Sequence, residues 1–503
     1  MASALPGSVG WPIVGDKSVD FYRDPVKFVE KHCFRCGCRI FSCRFLNTPT
    51  AFICSNAGVR EVLADQDNAF ELGYKPFMGQ IFGDNILFTE GDEAYMFRDA
   101  MSHLFTPEAV QSYQPTVERI AKRHVAEIDS RKPMCVYKFF KEVTTEICLT
   151  LFLGIDFTDT EEAKRVVDLT TKHWHGIISV PVKFKLPGVG SESAFSSAMM
   201  AKAALLEVIK AQRHKNAEGF VKRMQEGHSD EEDVFVNNHL LLFTSALVPK
   251  AMSSILSSFA FEVAKPELAS LQGELLTNDQ LRSCLFKEVQ RMHPPFFGGR
   301  RVAKKDTVIG GYKIPAQSAV VFMTYSAHRD PAVFLDPDTF NHKRWSSDSG
   351  TSDDKLFTFG YGPRRCVGPQ VVWNIINEVM IQLLSCYNWH MVEKRDLTHK
   401  LLPVSRPKGV CLVKLFHANG PSPKPTVQSQ GGTGSSLSST DENSVTTGTS
   451  PSPTLATDQN QVSGVAACSK CPAQCQKCRT CNPLFESNSK LDQRFTKNLF
   501  EPS

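Results

Sequence analysis

The chain has 503 residues, with 57 basic against 53 acidic side chains, a formal charge of +4, and 42% hydrophobic residues. That balance supports a sizeable core, excludes wholesale disorder or a collagen-like repeat, and is too weakly basic to argue for a nucleic-acid partner. No run of about 18 apolar residues spells a membrane-spanning helix, and Met1-Ala2-Ser3-Ala4 does not open a secretory signal. Sixteen cysteines in so long a chain read as reduced thiols rather than as a disulfide scaffold.

Residues 5–416 carry periodic apolar segments with short polar gaps. Near the start, Cys33, Cys36, Cys38 and Cys43 cluster, and packing is the reading favoured over metal binding. Helical spacing predicts helices over residues 107–126 and 142–153. His173 and His175 are two apart on a helix and face different ways, so they are not read as a metal pair. Residues 239–263 form a long apolar segment interrupted by Pro249. A polar-capped helix is expected over 278–292, stopped by His293-Pro294-Pro295. Alternating residues on either side of Gly310-Gly311 read as a hairpin. After Gly368-Pro369, the positions Val371, Val372, Ile375, Ile376, Val379, Met380, Leu383 and Leu384 form one apolar stripe. Residues 417–467 are rich in Ser, Thr, Gly and Pro and read as a disordered linker, because they offer too little apolar area to offset ordering entropy. Residues 468–503 form a cysteine-rich tail, where Cys468, Cys471, Cys475, Cys478 and Cys481 have zinc-ligand spacing. An unstructured thiol-rich tail is the competing reading.

The stretch that carries chemistry runs from Phe359 to Gly368. Gly360, Gly362 and Gly368 let the backbone turn tightly and approach a flat group. Cys366 stands just before a helix N-terminus beside Arg364 and Arg365, and both features favour a thiolate. A thiolate there suits an axial ligand of haem iron. The bland alternative is a buried structural cysteine.

This loop resembles that of the cytochrome P450 family, whose pattern Phe-x-x-Gly-x-Arg-x-Cys-x-Gly is met by Phe359, Gly362, Arg364, Cys366 and Gly368. The resemblance implies a mainly α fold with small β-sheets over residues 5–416. It implies haem b (iron protoporphyrin IX) ligated by Cys366, a propionate held by Arg364, and Phe359 packed beside the sulfur. Glu288 and Arg291 match the family's Glu-x-x-Arg, and Arg344 completes the expected structural triad. Arg301 aligns with a second propionate partner; Arg98 does so too, although Ala94 replaces the family's aromatic residue or histidine. The opening Leu5-Pro6-Gly7-Ser8 is similar to the hinge after a membrane anchor. That likeness implies peripheral association with the endoplasmic reticulum membrane; without an anchor the expectation is cytoplasmic. Residues 295–303 and 402–408 look nearest to the branch of retinoic-acid and sterol or terpenoid hydroxylases. The implied activity is hydroxylation of a lipophilic small molecule with O2 and electrons from NADPH–cytochrome P450 reductase.

One departure concerns the distal helix. The family's Gly-x-x-Thr centre, where an alcohol beside an acid supplies protons, is not restored by either register. One places Val248 and Pro249 there, the other Ala251 and Met252. A monooxygenase using Ser253, Ser254 or ordered water is the first reading. A reductase-independent hydroperoxide or endoperoxide isomerase or lyase is the second. The segment 265–281 is also short for the family. That keeps a haem-binding pseudoenzyme as a third reading.

Overall fold

The computed structural model describes residues 2–178, 193–215, 219–226, 233–347, 350–392 and 398–418. The chain divides into two units, Met1–Ser422 and Pro423–Ser503. The linker expected from 417 starts inside a strand, Leu412–His417. Its remainder, the cysteine-rich tail and the question of zinc lie outside the described residues.

Helices dominate, and their ends are set by local chemistry. The Pro107–Ala126 helix opens where the Thr106 side chain accepts from the Ala109 N–H, with Pro107 at a position that needs no donor. Asn278 caps Asp279–Met292 in the same way. The helix expected over 142–153 begins earlier, at Val136. Val136, Phe139, Phe140 and Val143 continue the buried stripe at helical spacing. Pro369–Cys386 buries Val371, Ile375, Ile376, Val379, Met380, Leu383 and Leu384, while Val372 is half-buried. It packs against Pro107–Ala126, and Val136–Leu153 packs against Leu247–Glu262.

The long apolar segment is two helices, Val234–Phe243 and Leu247–Glu262, with a turn at 244–246 between them. Pro249 is therefore not the break itself. It sits in the first turn of the second helix, where backbone N–H groups have no intrahelical acceptor. Together the pair spans 29 residues, and its most apolar 18-residue window has a mean hydropathy of 1.5, so it does pass a length-and-composition test for spanning a membrane. Its most apolar window is 72% buried inside the protein, which makes it a core element of this fold.

A six-stranded sheet forms the other main layer, in the order Gly7–Ser8, Ile40–Phe45, Thr48–Ile53, Ala319–Phe322, Gly299–Ala303 and Phe70–Leu72. The expected hairpin is present as Thr307–Ile309 and Tyr312–Ile314, paired antiparallel across Gly310-Gly311. Where Gly299–Ala303 enters the sheet, the chain passes very close to its neighbour. A Cβ on Gly298 would fall 2.2 Å from the Phe322 carbonyl oxygen. Backbone cannot give way as a flexible side chain can. Gly298→Ala is therefore expected to cost about 1–3 kcal/mol as an overpacking change, read as a lower urea midpoint with an unchanged slope.

Candidate functional site

The loop before Pro369–Cys386 is closed by its own backbone. Cys366 N–H donates to the Phe359 carbonyl at 2.8 Å, Arg365 N–H to Gly362 at 3.0 Å, and Gly360 N–H to Phe357 at 3.0 Å. Gly362 has φ +67, and a Cβ there would lie 2.5 Å from the Leu63 carbonyl oxygen. Both facts demand glycine. Arg60 pins the loop to the Asn56–Ala64 helix, donating to the Tyr361 hydroxyl at 3.1 Å while its guanidinium lies 4.7 Å from that ring's centre. At the loop's start, Phe357 N–H donates to His328 Nε2 at 2.8 Å. Burial first, then the charges of Arg329 and Arg291, push His328 down to about 3, so its ring is neutral and free to accept.

Cys366 is exposed, yet burial is the largest influence on its thiol and raises it. Both hold at once only for a group lining a hollow that the protein surrounds. Opposing burial are a hydrogen bond from the Gly368 backbone N–H and the charges of Arg98 and Arg365. The sequence-based expectation of a depressed thiol is thus corrected: without a bound metal, desolvation outweighs the cations. Arg365, not Arg364, is the neighbour that acts on the sulfur. Phe359 is half-buried and contributes its carbonyl to the loop.

Arg364 turns the other way, donating to the carbonyls of Thr89 at 2.5 Å and Ile86 at 3.1 Å. Burial first, then the charge of Arg301, pull it down to about 10; Arg98 adds to this and Glu90 opposes it. Arg301 donates to the Arg300 carbonyl at 3.1 Å and stands 5.3 Å from the centre of the Phe322 ring. Arg98 donates to the Arg365 carbonyl. Among the described residues none of these three guanidiniums has a carboxylate within the 4.0 Å of an ion pair. Three cations from three segments, bonded mainly to carbonyls, form a place where carboxylates of a bound group can be neutralised.

Glu288, Arg291 and Arg344 come together in the interior. Glu288 and Arg291 are fully buried. Arg291 grips the carboxylate with two donors at 2.9 and 2.8 Å, and Arg344 adds a third at 3.1 Å. Two further donors were not foreseen, the Trp345 indole at 2.8 Å and the Asn341 N–H at 2.8 Å. Their signal was available, since both flank Arg344 in the sequence.

In the segment 242–254, neither Gly-x-x-Thr nor an acidic residue occurs. The Thr144 hydroxyl donates to the Pro249 carbonyl at 3.1 Å and lies 3.0 Å from the Ser253 hydroxyl. Ser253 is thereby engaged with the neighbouring helix. The buried Ser254 hydroxyl has no hydrogen-bond partner among the described residues. His173 is buried and bonded to the Ile81 carbonyl at 2.9 Å. No group of three or more metal-ligating side chains occurs among the described residues.

A family model described as Cytochrome P450 matches residues 5–242 and 280–413. The stretch between them contains the helix break, Pro249 and most of the short segment. Cytochrome P450 716A75 of Maesa lanceolata is 24% identical over 453 residues, covering 82% of this chain and 91% of that protein. A β-amyrin 28-monooxygenase of Medicago truncatula is 25% identical over 425 residues, covering 77% and 87%. Among solved structures, retinoic acid-bound cyanobacterial CYP120A1 superposes with a TM-score of 0.71 at 20% identity, covering 83% of this chain and all of that one. The chain belongs to the cytochrome P450 family. Its class is that of monooxygenases, haem enzymes that act on lipophilic substrates with electrons from a reductase.

The buried triad gives a test of its own. Burial disfavours the charged form of Glu288, but the hydrogen bonds and charge of Arg291 outweigh it, and the carboxyl lies below its usual value. Its contribution is therefore full above the unfolded pKa of about 4.3 and is lost as pH falls through the lower folded value. Glu288→Gln leaves two buried guanidiniums without their counter-charge and is expected to cost about 3–5 kcal/mol. Urea unfolding at neutral pH would show it, and the gap from the unsubstituted protein should narrow on acidification.

Proposed function

We propose that Cys366 is the axial ligand of a haem b iron and that Arg98, Arg301 and Arg364 hold its propionates. The observation that carries this reading is the sulfur in its hollow together with three guanidiniums that have no carboxylate of their own among the described residues. Sulfur, cations and a glycine-bounded loop fit that group's chemistry. When bound, the haem supplies the oxygen chemistry; the protein supplies ligand, orientation and a dry pocket.

The chain's own residues have definite tasks in this scheme. The Gly368 N–H and the charges of Arg98 and Arg365 favour negative charge on the sulfur, as iron coordination also would. Trp174, Ala246 and Val404 pack as an apolar cluster, with Leu247 and Phe296 against it. The substrate is read as a lipophilic terpenoid, retinoid or sterol, and the relatives named as β-amyrin monooxygenases support the terpenoid type. Electrons would come from NADPH through cytochrome P450 reductase, with peripheral contact at the endoplasmic reticulum membrane.

One observation favours a second reading. Pro249 and the turn at 244–246 occupy the distal segment where an acid and an alcohol would move protons. Rearrangement of a hydroperoxide, whose O–O bond is already made, needs no such delivery. The reduced, CO-treated protein is expected to show a thiolate-type band that Cys366→Ala removes. With NADPH and reductase it should hydroxylate its substrate in an O2-dependent way. Fast turnover of a fatty-acid hydroperoxide without reductase, together with no hydroxylation on NADPH plus reductase, would select the second reading. A haem-loaded protein inert in both assays would point to the pseudoenzyme.

A further inference from the structure

The cysteines that cluster near the start of the sequence are regrouped by the fold. Cys38 donates to the Ile40 carbonyl at 2.9 Å, and Cys43 pairs in register with Thr50 across the strands Ile40–Phe45 and Thr48–Ile53. Burial first pushes the Cys43 thiol up to about 12, which leaves it inert. The thiol that joins Cys33 is instead Cys54, just past the Thr48–Ile53 strand, and the two hydrogen-bond each other.

Cys33 lies in the last turn of the Pro25–Cys36 helix, half-buried beside the exposed Phe34, and packs on the apolar cluster that holds Cys54. Cys54 is fully buried. Its N–H donates to the Arg39 carbonyl at 2.8 Å, and the Arg39 Nε donates to its carbonyl at 3.2 Å. Arg39 also donates to the Ser326 carbonyl at 2.5 Å and lies 3.6 Å from the Asp330 carboxylate. A guanidinium is thereby anchored where its charge acts on both sulfurs.

The two thiols are unlike. The hydrogen bond from Cys54 first, and the charge of Arg39, hold Cys33 below the usual thiol value, although burial, Asp330 and Glu30 oppose them. Burial first, then Cys33 itself, holds Cys54 well above it. One sulfur is reachable and reactive, and the other is shielded and already in contact with it. Both are free thiols.

We propose that Cys33 and Cys54 form a reversible redox pair, in which hydrogen peroxide attacks Cys33 and Cys54 resolves the product. In the first step the Cys33 sulfur takes one peroxide oxygen, the O–O bond breaks, and a sulfenic acid and water result. In the second the Cys54 sulfur displaces that oxygen as water, and the S–S bond forms. Two thiols give up two electrons and two protons, and one peroxide becomes two waters. A dithiol reverses the change by exchange. Neither iron nor Cys366 takes part, so this site stands apart from the function proposed above.

The experiment treats the full chain with hydrogen peroxide, blocks remaining thiols, and maps tryptic peptides without reduction. Trypsin separates Cys33, in residues 32–35, from Cys36 and Cys38, in residues 36–39, and leaves Cys54 in residues 45–60. The expected product joins 32–35 to 45–60, disappears on dithiothreitol, and forms equally in haem-loaded protein and in Cys366→Ala. Cys54→Ala should leave Cys33 as a sulfenic acid that dimedone traps, while Cys33→Ala should leave Cys54 a free thiol. If Cys54→Ala does not fold, dimedone present during oxidation of the unsubstituted chain should mark Cys33 and not Cys54. A link from Cys33 to residues 36–39, a Cys33 that stays a thiol, or a Cys33 that passes to sulfinic acid beside an unchanged Cys54 would overturn the proposal. So would a link that forms only when Cys366 is present.

Discussion

One buried carboxylate underlies the site. Glu288 accepts from five donors, two on Arg291 and one each on Arg344, Asn341 and Trp345. Arg291 then donates to the His328 carbonyl at 2.9 Å, and the His328 ring accepts from Phe357 at the head of the cysteine loop. A charge that would be costly alone in the interior is used to tie the Asp279–Met292 helix to the turn at His328 and to the head of the loop that presents Cys366. The neutrality of His328 matters in the same chain, because a protonated ring could not accept that N–H.

Much of this was readable before any coordinates. The spacing of Phe359, Gly362, Arg364, Cys366 and Gly368 specifies the loop because each position has a separate physical demand. Gly362 shows it plainly, with a left-handed backbone pressed against Leu63. The helix ends at Pro107 and Asn278 were legible for a similar reason, since caps act through neighbours in sequence. Effects that depend on distant neighbours were not. The direction in which the Cys366 thiol moves turns on total burial, and the carbonyl partners of Arg364 come from a segment about 275 residues away. The helix break was misplaced onto Pro249 because proline marks where a helix cannot donate, not where the chain turns.

The distal side sets this chain apart. The stretch that the family model leaves unmatched is also where the helix is interrupted and where neither register restores the Gly-x-x-Thr centre, one placing Val248 and Pro249 there and the other Ala251 and Met252. The same turn of helix brings Lys250 to the edge of the apolar cluster. The loop from Phe359 to Gly368, by contrast, lies within the stretch that the family model matches. The sulfur side of the site is fixed by backbone geometry.

The claim on which the rest depends is that iron in this protein bears a sulfur from Cys366. X-ray absorption at the iron edge of the haem-loaded protein reads that bond directly. The account predicts one sulfur neighbour in addition to nitrogens, replaced by a lighter atom in Cys366→Ser with haem still bound. An iron surrounded only by nitrogen or oxygen in the unsubstituted protein, or a sulfur neighbour that survives in Cys366→Ser, would contradict it.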